Sequence, residues 1–210
     1  ELLQVEGAHC ERLGHLRPLP LPGGDSAARA PWRMAAAVLH ALGRNADIGV
    51  RFQEFGGDTV ATMLARGINC PSSSSMGRVF DAASGLLGLC THMQYEAQAA
   101  LLLEQAATRH IEAHGWPQPL PQGWTIDPHG QLDWLPLLAC LVDAVDVDRA
   151  AAQFHATLVA GLSEWVVQAA QSSHLRTLVW GGGCFHNTLL SVGLRQNLAQ
   201  FTQDRKAADT

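Results

Sequence analysis

Lysine is almost missing from this chain. Lys206 is the single one, beside thirteen scattered arginines, and the formal net charge is −5. A nucleic-acid surface needs a basic stripe to neutralise phosphates. None is present, so no nucleic-acid partner is expected. No apolar run approaches the roughly 20 residues that a bilayer-crossing helix requires, and no leader pattern is read at the start. A cytoplasmic protein without a membrane partner is expected. The five cysteines, Cys10, Cys70, Cys90, Cys140 and Cys184, are odd in number and show no C-x-x-C spacing. That pattern argues against a disulfide framework and a zinc ribbon. Reduced thiols, mostly packed as small hydrophobes, are the expectation. Catalytic patterns are scarce too. The serines have no G-x-S-x-G context, and G-x-G-x-x-G, P-loop and H-E-x-x-H motifs are absent. His110 and His114 flank Glu112, but they fall at an expected helix C-terminus, where imidazoles suit the helix dipole.

What is present is a chain of 210 residues, 47% hydrophobic and 16% charged, enough for one large domain or two small ones with a real core. The stretch that organises it is GINCPSSSSMGRVFDAASGLLGL, Gly67 to Leu89. Pro71 disfavours helix before it, and Ser72 to Ser75 offer oxygens that could cap a helix starting at Met76. Val79, Phe80, Ala83, Leu86 and Leu87 then share one apolar stripe at helical spacing. Asp81, Ser84, Gly85 and Gly88 share another face. Glycine inside a helix costs about 1 kcal/mol relative to alanine, so the room it leaves needs a reason. Two reasons remain open: a flat ligand lying on the helix with Asp81 accepting its hydroxyls, or close helix packing with Asp81 solvated at the rim.

Along the rest of the chain, residues 1–24 read as a weak β segment ending in the turn-rich link LPLPGGD. Residues 25–200 read as a helical lobe, and 201–210 as a polar, frayed tail. Helices are expected over Trp32–Leu42, from Thr59 to Arg66, Tyr95–His114, Leu132–Val145, Asp148–Ser172 and Thr188–Gln200. Residues 115–130 read as a loop with little strand character beyond Thr125 and Ile126. LRTLVW, Leu175 to Trp180, is the clearest strand pattern, and it needs a partner strand to exist.

TLVWGGGCFHNTLL supplies a second candidate site. Glycines after a strand allow a sharp turn and close approach of backbone to a ligand. The free N–H groups of the next helix would attract a phosphate or a polar base edge. Asn187 could cap that helix or hydrogen-bond a nucleobase or sugar.

Taken in order, ERLGHLRPLPLPGGD, GINCPSSSSMGRVFDAASGLLGLC, YEAQAALLLE, LDWLPLL, AAQFHATL and GGGCFHN resemble the C-terminal part of the hydrogenase maturation carbamoyltransferases, the HypF family. They cover most of the chain. A related module in the tRNA threonylcarbamoyl transferases has a similar F-D helix and GG-x-x-x-N turn, but the acidic charge disfavours a tRNA substrate. The resemblance implies an α/β, mostly helical chain: the second lobe of an actin-like, sugar-kinase-like fold with a small sheet. It implies that Asp81 accepts the ribose hydroxyls of a carbamoyl-adenylate. Gly182 and Gly183 would admit the nucleotide against the backbone, Asn187 would hydrogen-bond it, and Glu96 and Ala97 would lie near the sugar.

The family's metal-binding H-H-x-A-H motif, its D-G-T-G phosphate loop and its N-D-G-G segment do not occur here. The chain is therefore expected to be truncated at both ends, with the parent's divalent metal held outside it and no catalytic residue within it. The full protein would make carbamoyl-adenylate from carbamoyl phosphate and ATP. It would pass the carbamoyl group to a cysteine thiol on a HypE-like partner. This lobe would recognise adenosine and be inactive alone. The alternative is a non-catalytic helical module for docking or oligomerisation, built on the same fold.

Overall fold

A computed structural model describes residues 1–173 and 177–208. The chain opens with an antiparallel hairpin, β1 (Leu2–Glu6) and β2 (His9–Leu16), turned at Gly7 with φ 59°. β3 (Leu19–Pro20) pairs antiparallel with β4 (Ser72–Ser73). Between them lie α1 (Pro31–Ala41), α2 (Asn45–Arg51) and α3 (Gly57–Arg66). Then come α4 (Met76–Leu86), α5 (Gln98–His114), β5 (Thr125–Ile126), β6 (Gln131–Asp133), α6 (Leu135–Leu141) and α7 (Val147–Ser173). A short 3-10 turn, Gly183–His186, leads into α8 (Thr188–Ala208). The larger sheet has strand order β1-β2-β6-β5, with β2 and β6 parallel and the other pairs antiparallel. The result is the α/β, mostly helical architecture expected.

One continuous core runs from Leu16 in β2 to Leu194 in α8. Phe80 of α4 meets Phe154 of α7 edge to face, with ring centroids 5.4 Å apart. α4 also lies close on α1. A Cβ on Gly85 would stand 2.5 Å from the Pro31 carbonyl oxygen and 3.1 Å from the Ala35 Cβ. Of the two reasons weighed for the small-residue face, close helix packing therefore explains Gly85. Gly88 lies beyond the helix, at φ 70°, where a left-handed residue ends the turn.

Several expectations fail for identifiable reasons. Thr177 to Trp180 form no strand; Leu178 and Val179 are 43% and 83% exposed. His174, Leu175 and Arg176 lie outside the described residues. Among the described residues no strand lies beside this segment to take its backbone groups, and strand character without a partner makes no sheet. α2 went unread because NADIGVR has weak helix formers; it is held by burial of Ile48. The helix expected from Leu132 begins only at Leu135, since residues 131–133 pair with β2 and β5, and the Asp133 carboxylate caps its start by accepting the Leu135 N–H at 2.8 Å. The serines before α4 make no side-chain cap; Ser72 and Ser73 serve as a strand instead. Only Cys90 is buried, while Cys10 and Cys140 are exposed. Backbone helix continues through 201–208, where the sequence reads as a polar tail.

Gly85→Ala should destabilise the chain by about 1–3 kcal/mol, because an added methyl must push α4 off the Pro31 carbonyl. Urea denaturation followed by circular dichroism measures this, and an unchanged midpoint would contradict the close α1–α4 packing.

Candidate functional site

α4 sets Arg78, Asp81 and Ser84 three residues apart, on one side of the helix. Asp81 is only 3% exposed and Ser84 is fully buried. Arg78 Nη2 lies 2.9 Å from Asp81 Oδ2, an ion pair without hydrogen-bond alignment. Asp81 Oδ2, Arg78 Nη1 and Ser84 Oγ are thus buried with no hydrogen-bond partner. Native proteins rarely leave such groups unpaired. Burial pushes the Asp81 carboxyl up to about 6, against the opposing pull of Arg78. Asp81 is therefore not a solvated residue at the rim of a helix contact.

The glycine turn comes to the same neighbourhood. The Cys184 thiol is pushed up first by burial and then by the Asp81 charge, with Arg78 acting the other way. Gly182 has φ 107° and ψ 159°, a backbone region open to glycine alone. Gly183 has no such constraint, and nothing lies within 4 Å of a Cβ built there. Neither the backbone nor the packing of this chain accounts for glycine at 183.

Asn187 closes the turn and is 7% exposed. Its Oδ1 accepts the Leu190 N–H of α8 at 2.9 Å, and its Nδ2 lies 3.1 Å from Nε2 of His155 on α7. His155 is fully buried, with Nδ1 2.8 Å from the Ala151 carbonyl oxygen. Its ring lies against Phe80, the neighbour of Asp81 in sequence, with centroids 5.9 Å apart. Desolvation holds the imidazole down to about 4, so it is neutral near pH 7. The next donors of α8 are also occupied: Glu104 Oε1 of α5 accepts the Thr188 N–H at 2.6 Å and the Leu189 N–H at 3.4 Å. The free helix terminus expected to attract a phosphate is thus already taken by a carboxylate of the same chain.

Asp81 is linked to the turn through its charge effect on Cys184, and its sequence neighbour Phe80 is linked to Asn187 through His155; no hydrogen bond or ion pair joins Asp81 to Gly182, Gly183 or Asn187 among the described residues. Glu96 and Ala97 stand exposed at the entry to α5, with no hydrogen bond or ion pair to Asp81 or Asn187. Ala97 adopts the left-handed region at φ 62°. Sequence reasoning missed His155 and Glu104. The available signal was an imidazole in the middle of the apolar stripe that Phe154, Leu158, Leu162 and Trp165 carry. Among the described residues no group of three or more His, Cys, Asp or Glu side chains could hold a metal ion. The divalent metal implied by the resemblance has no ligand set there. Two open clefts, one between the β1–β2 hairpin and the end of α7 and one beside His110 and His114, include none of the site residues.

Residues 1–206 match the family described as carbamoyltransferase, Kae1-like domain, second subdomain. The chain is 51% identical over 222 residues to carbamoyltransferase HypF2 of Cupriavidus necator, across 95% of the chain. It belongs to the HypF carbamoyltransferase family. HypF of Rhizobium leguminosarum bv. viciae is 36% identical, again over 95% of the chain. Among solved structures, full-length HypF in a phosphate- and nucleotide-bound form superposes with a TM-score of 0.80 at 23% identity, over 94% of the chain and 26% of that protein. HypF of T. kodakarensis gives 0.76 at 24% identity, over 91% of the chain and 26% of that protein. These two show a shared fold. The chain spans 28% of the length of HypF2 and 53% of a HypF homolog from Cupriavidus necator to which it is 47% identical.

The raised Asp81 carboxyl carries a stability consequence. An acid with an ordinary value of 3.8 and a folded value of about 6 lets the folded HypF lobe bind an extra proton between those pH values. Stability then falls as pH rises through that window. Asp81→Asn removes the buried charge, so the variant should melt several degrees above the parent at pH 7.5, and the gap should narrow at pH 4. Differential scanning calorimetry at the two pH values checks both the sign and the closing of the gap.

Proposed function

We propose that this chain forms the adenosine-recognising wall of a HypF carbamoyltransferase. The observation that carries the reading is Asp81, a nearly fully buried carboxylate whose Oδ2 is ion-paired with Arg78 but accepts no hydrogen bond. A ribose presents two adjacent O–H donors, and a desolvated carboxylate is a strong acceptor for such a pair. Ser84 Oγ and Arg78 Nη1 are further unpaired groups on the same side of α4. The open space over Gly183 would admit a nucleotide against the backbone.

Family membership supports a carbamoyltransferase, and the wider reaction proposed for it is the one the sequence resemblance implies. Carbamoyl phosphate and ATP give carbamoyl-adenylate with release of phosphate and pyrophosphate; a cysteine thiolate of a HypE-like partner then attacks the carbamoyl carbon, the C–S bond forming as the C–O bond to AMP breaks and AMP leaves, during nickel–iron hydrogenase maturation. The residues described here contribute binding and orientation of the adenylate. We assign no bond-making step to them. The lobe alone is inactive in this reading. A nucleotide-bound relative of the same fold is consistent with it.

Isothermal titration of the chain with ATP or AMP tests the proposal. Binding is expected, and Asp81→Ala should weaken it at least about tenfold, as for loss of a hydrogen bond to a charged group. Equal, negligible heats from both proteins would overturn it.

A further inference from the structure

A primary amide can meet a ligand through either end, as donor or as acceptor. Asn187 holds that amide in a single orientation. The Ala151 carbonyl can only accept, so the Nδ1 of His155 that faces it at 2.8 Å must carry the imidazole proton. Nε2 is then a bare lone pair, and it accepts from Asn187 Nδ2. At the other end the Leu190 N–H can only donate, so it must meet Asn187 Oδ1. Both partners dictate the same amide orientation. Turning it over would set two donors and two acceptors against each other in a buried place. After these bonds Asn187 retains one N–H on Nδ2 and one lone pair on Oδ1.

We propose that His155 is a positioning residue: by accepting from Nδ2 it fixes the orientation of the Asn187 amide, and with it the one N–H and the one Oδ1 lone pair that Asn187 can offer a ligand. This rests on the preceding reading that a nucleotide lies against the glycine turn that Asn187 closes. His155 itself touches no ligand. It acts through the amide, and it sits beneath the site beside Phe80 and Phe154.

The test has two arms. In the first, the imidazole nitrogens of the ligand-free chain are observed by nitrogen-15 NMR at pH 7. His155 should show a protonated Nδ1 and an unprotonated Nε2. A protonated Nε2 overturns the lock, whatever the chain binds. The second arm measures AMP affinity by calorimetry for His155→Phe, which keeps a ring but loses the acceptor, and His155→Gln, which restores one. The Phe variant should lose about tenfold in affinity and the Gln variant less than about threefold, with similar melting temperatures. A correctly folded Phe variant that binds AMP as the parent does overturns the positioning role. A parent chain that binds no nucleotide overturns the ligand half of the proposal together with the preceding reading, while the imidazole spectrum still decides the lock.

Discussion

The start of α8 is the constraint on which the site depends. Its leading N–H groups are held by two side chains, Glu104 of α5 and Asn187 just before α8, and Asn187 is tied in turn to α7 through His155. A helix terminus exposes several unpaired donors. Here their satisfaction fastens α5, α7 and α8 at one point. The glycine turn precedes that point directly, so its path past Asp81 follows from where the helix is anchored. Without the anchor, a stretch of three consecutive glycines would have no single conformation to present.

The helical frame was readable because its apolar residues recur at helical spacing over long segments: Pro31–Ala41, Gln98–His114 and Val147–Ser173 are recognisable from Trp32, Leu103 or Phe154 and their neighbours. The short elements were not. β6 and β4 are three and two residues long and exist because distant chain lies beside them. Thr177–Trp180 shows the converse: good local strand character has no effect where no neighbour supplies hydrogen bonds. At the site, Asp81 and Asn187 stood out by residue type on a recognisable background. His155 and Glu104 did not, because their significance lies in a contact across more than thirty residues for one and more than eighty for the other.

Glycine carries three different meanings in this chain. At Gly85 it lets two helices approach so closely that a methyl group would collide with backbone. At Gly182 it permits a backbone angle that other residues avoid. At Gly183 neither reason applies, and the missing side chain leaves open space over an exposed turn. The first two are accounts of folding. The third is the one that points outward, and it lies three residues after a tryptophan whose ring packs on Phe185 of the same turn.

The parallel pairing of β2 with β6 joins His15 and Leu16 to Gln131 and Leu132, and Arg17 adds a bond to Asp133. These contacts span more than a hundred residues of sequence. The opening hairpin can close by itself, but its lateral neighbour follows α1 to α5 in the chain and is synthesised after them. Such long-range closure slows the search for the native topology. The N-terminal hairpin should therefore dock late, with its outer edge waiting for the middle of the chain to arrive.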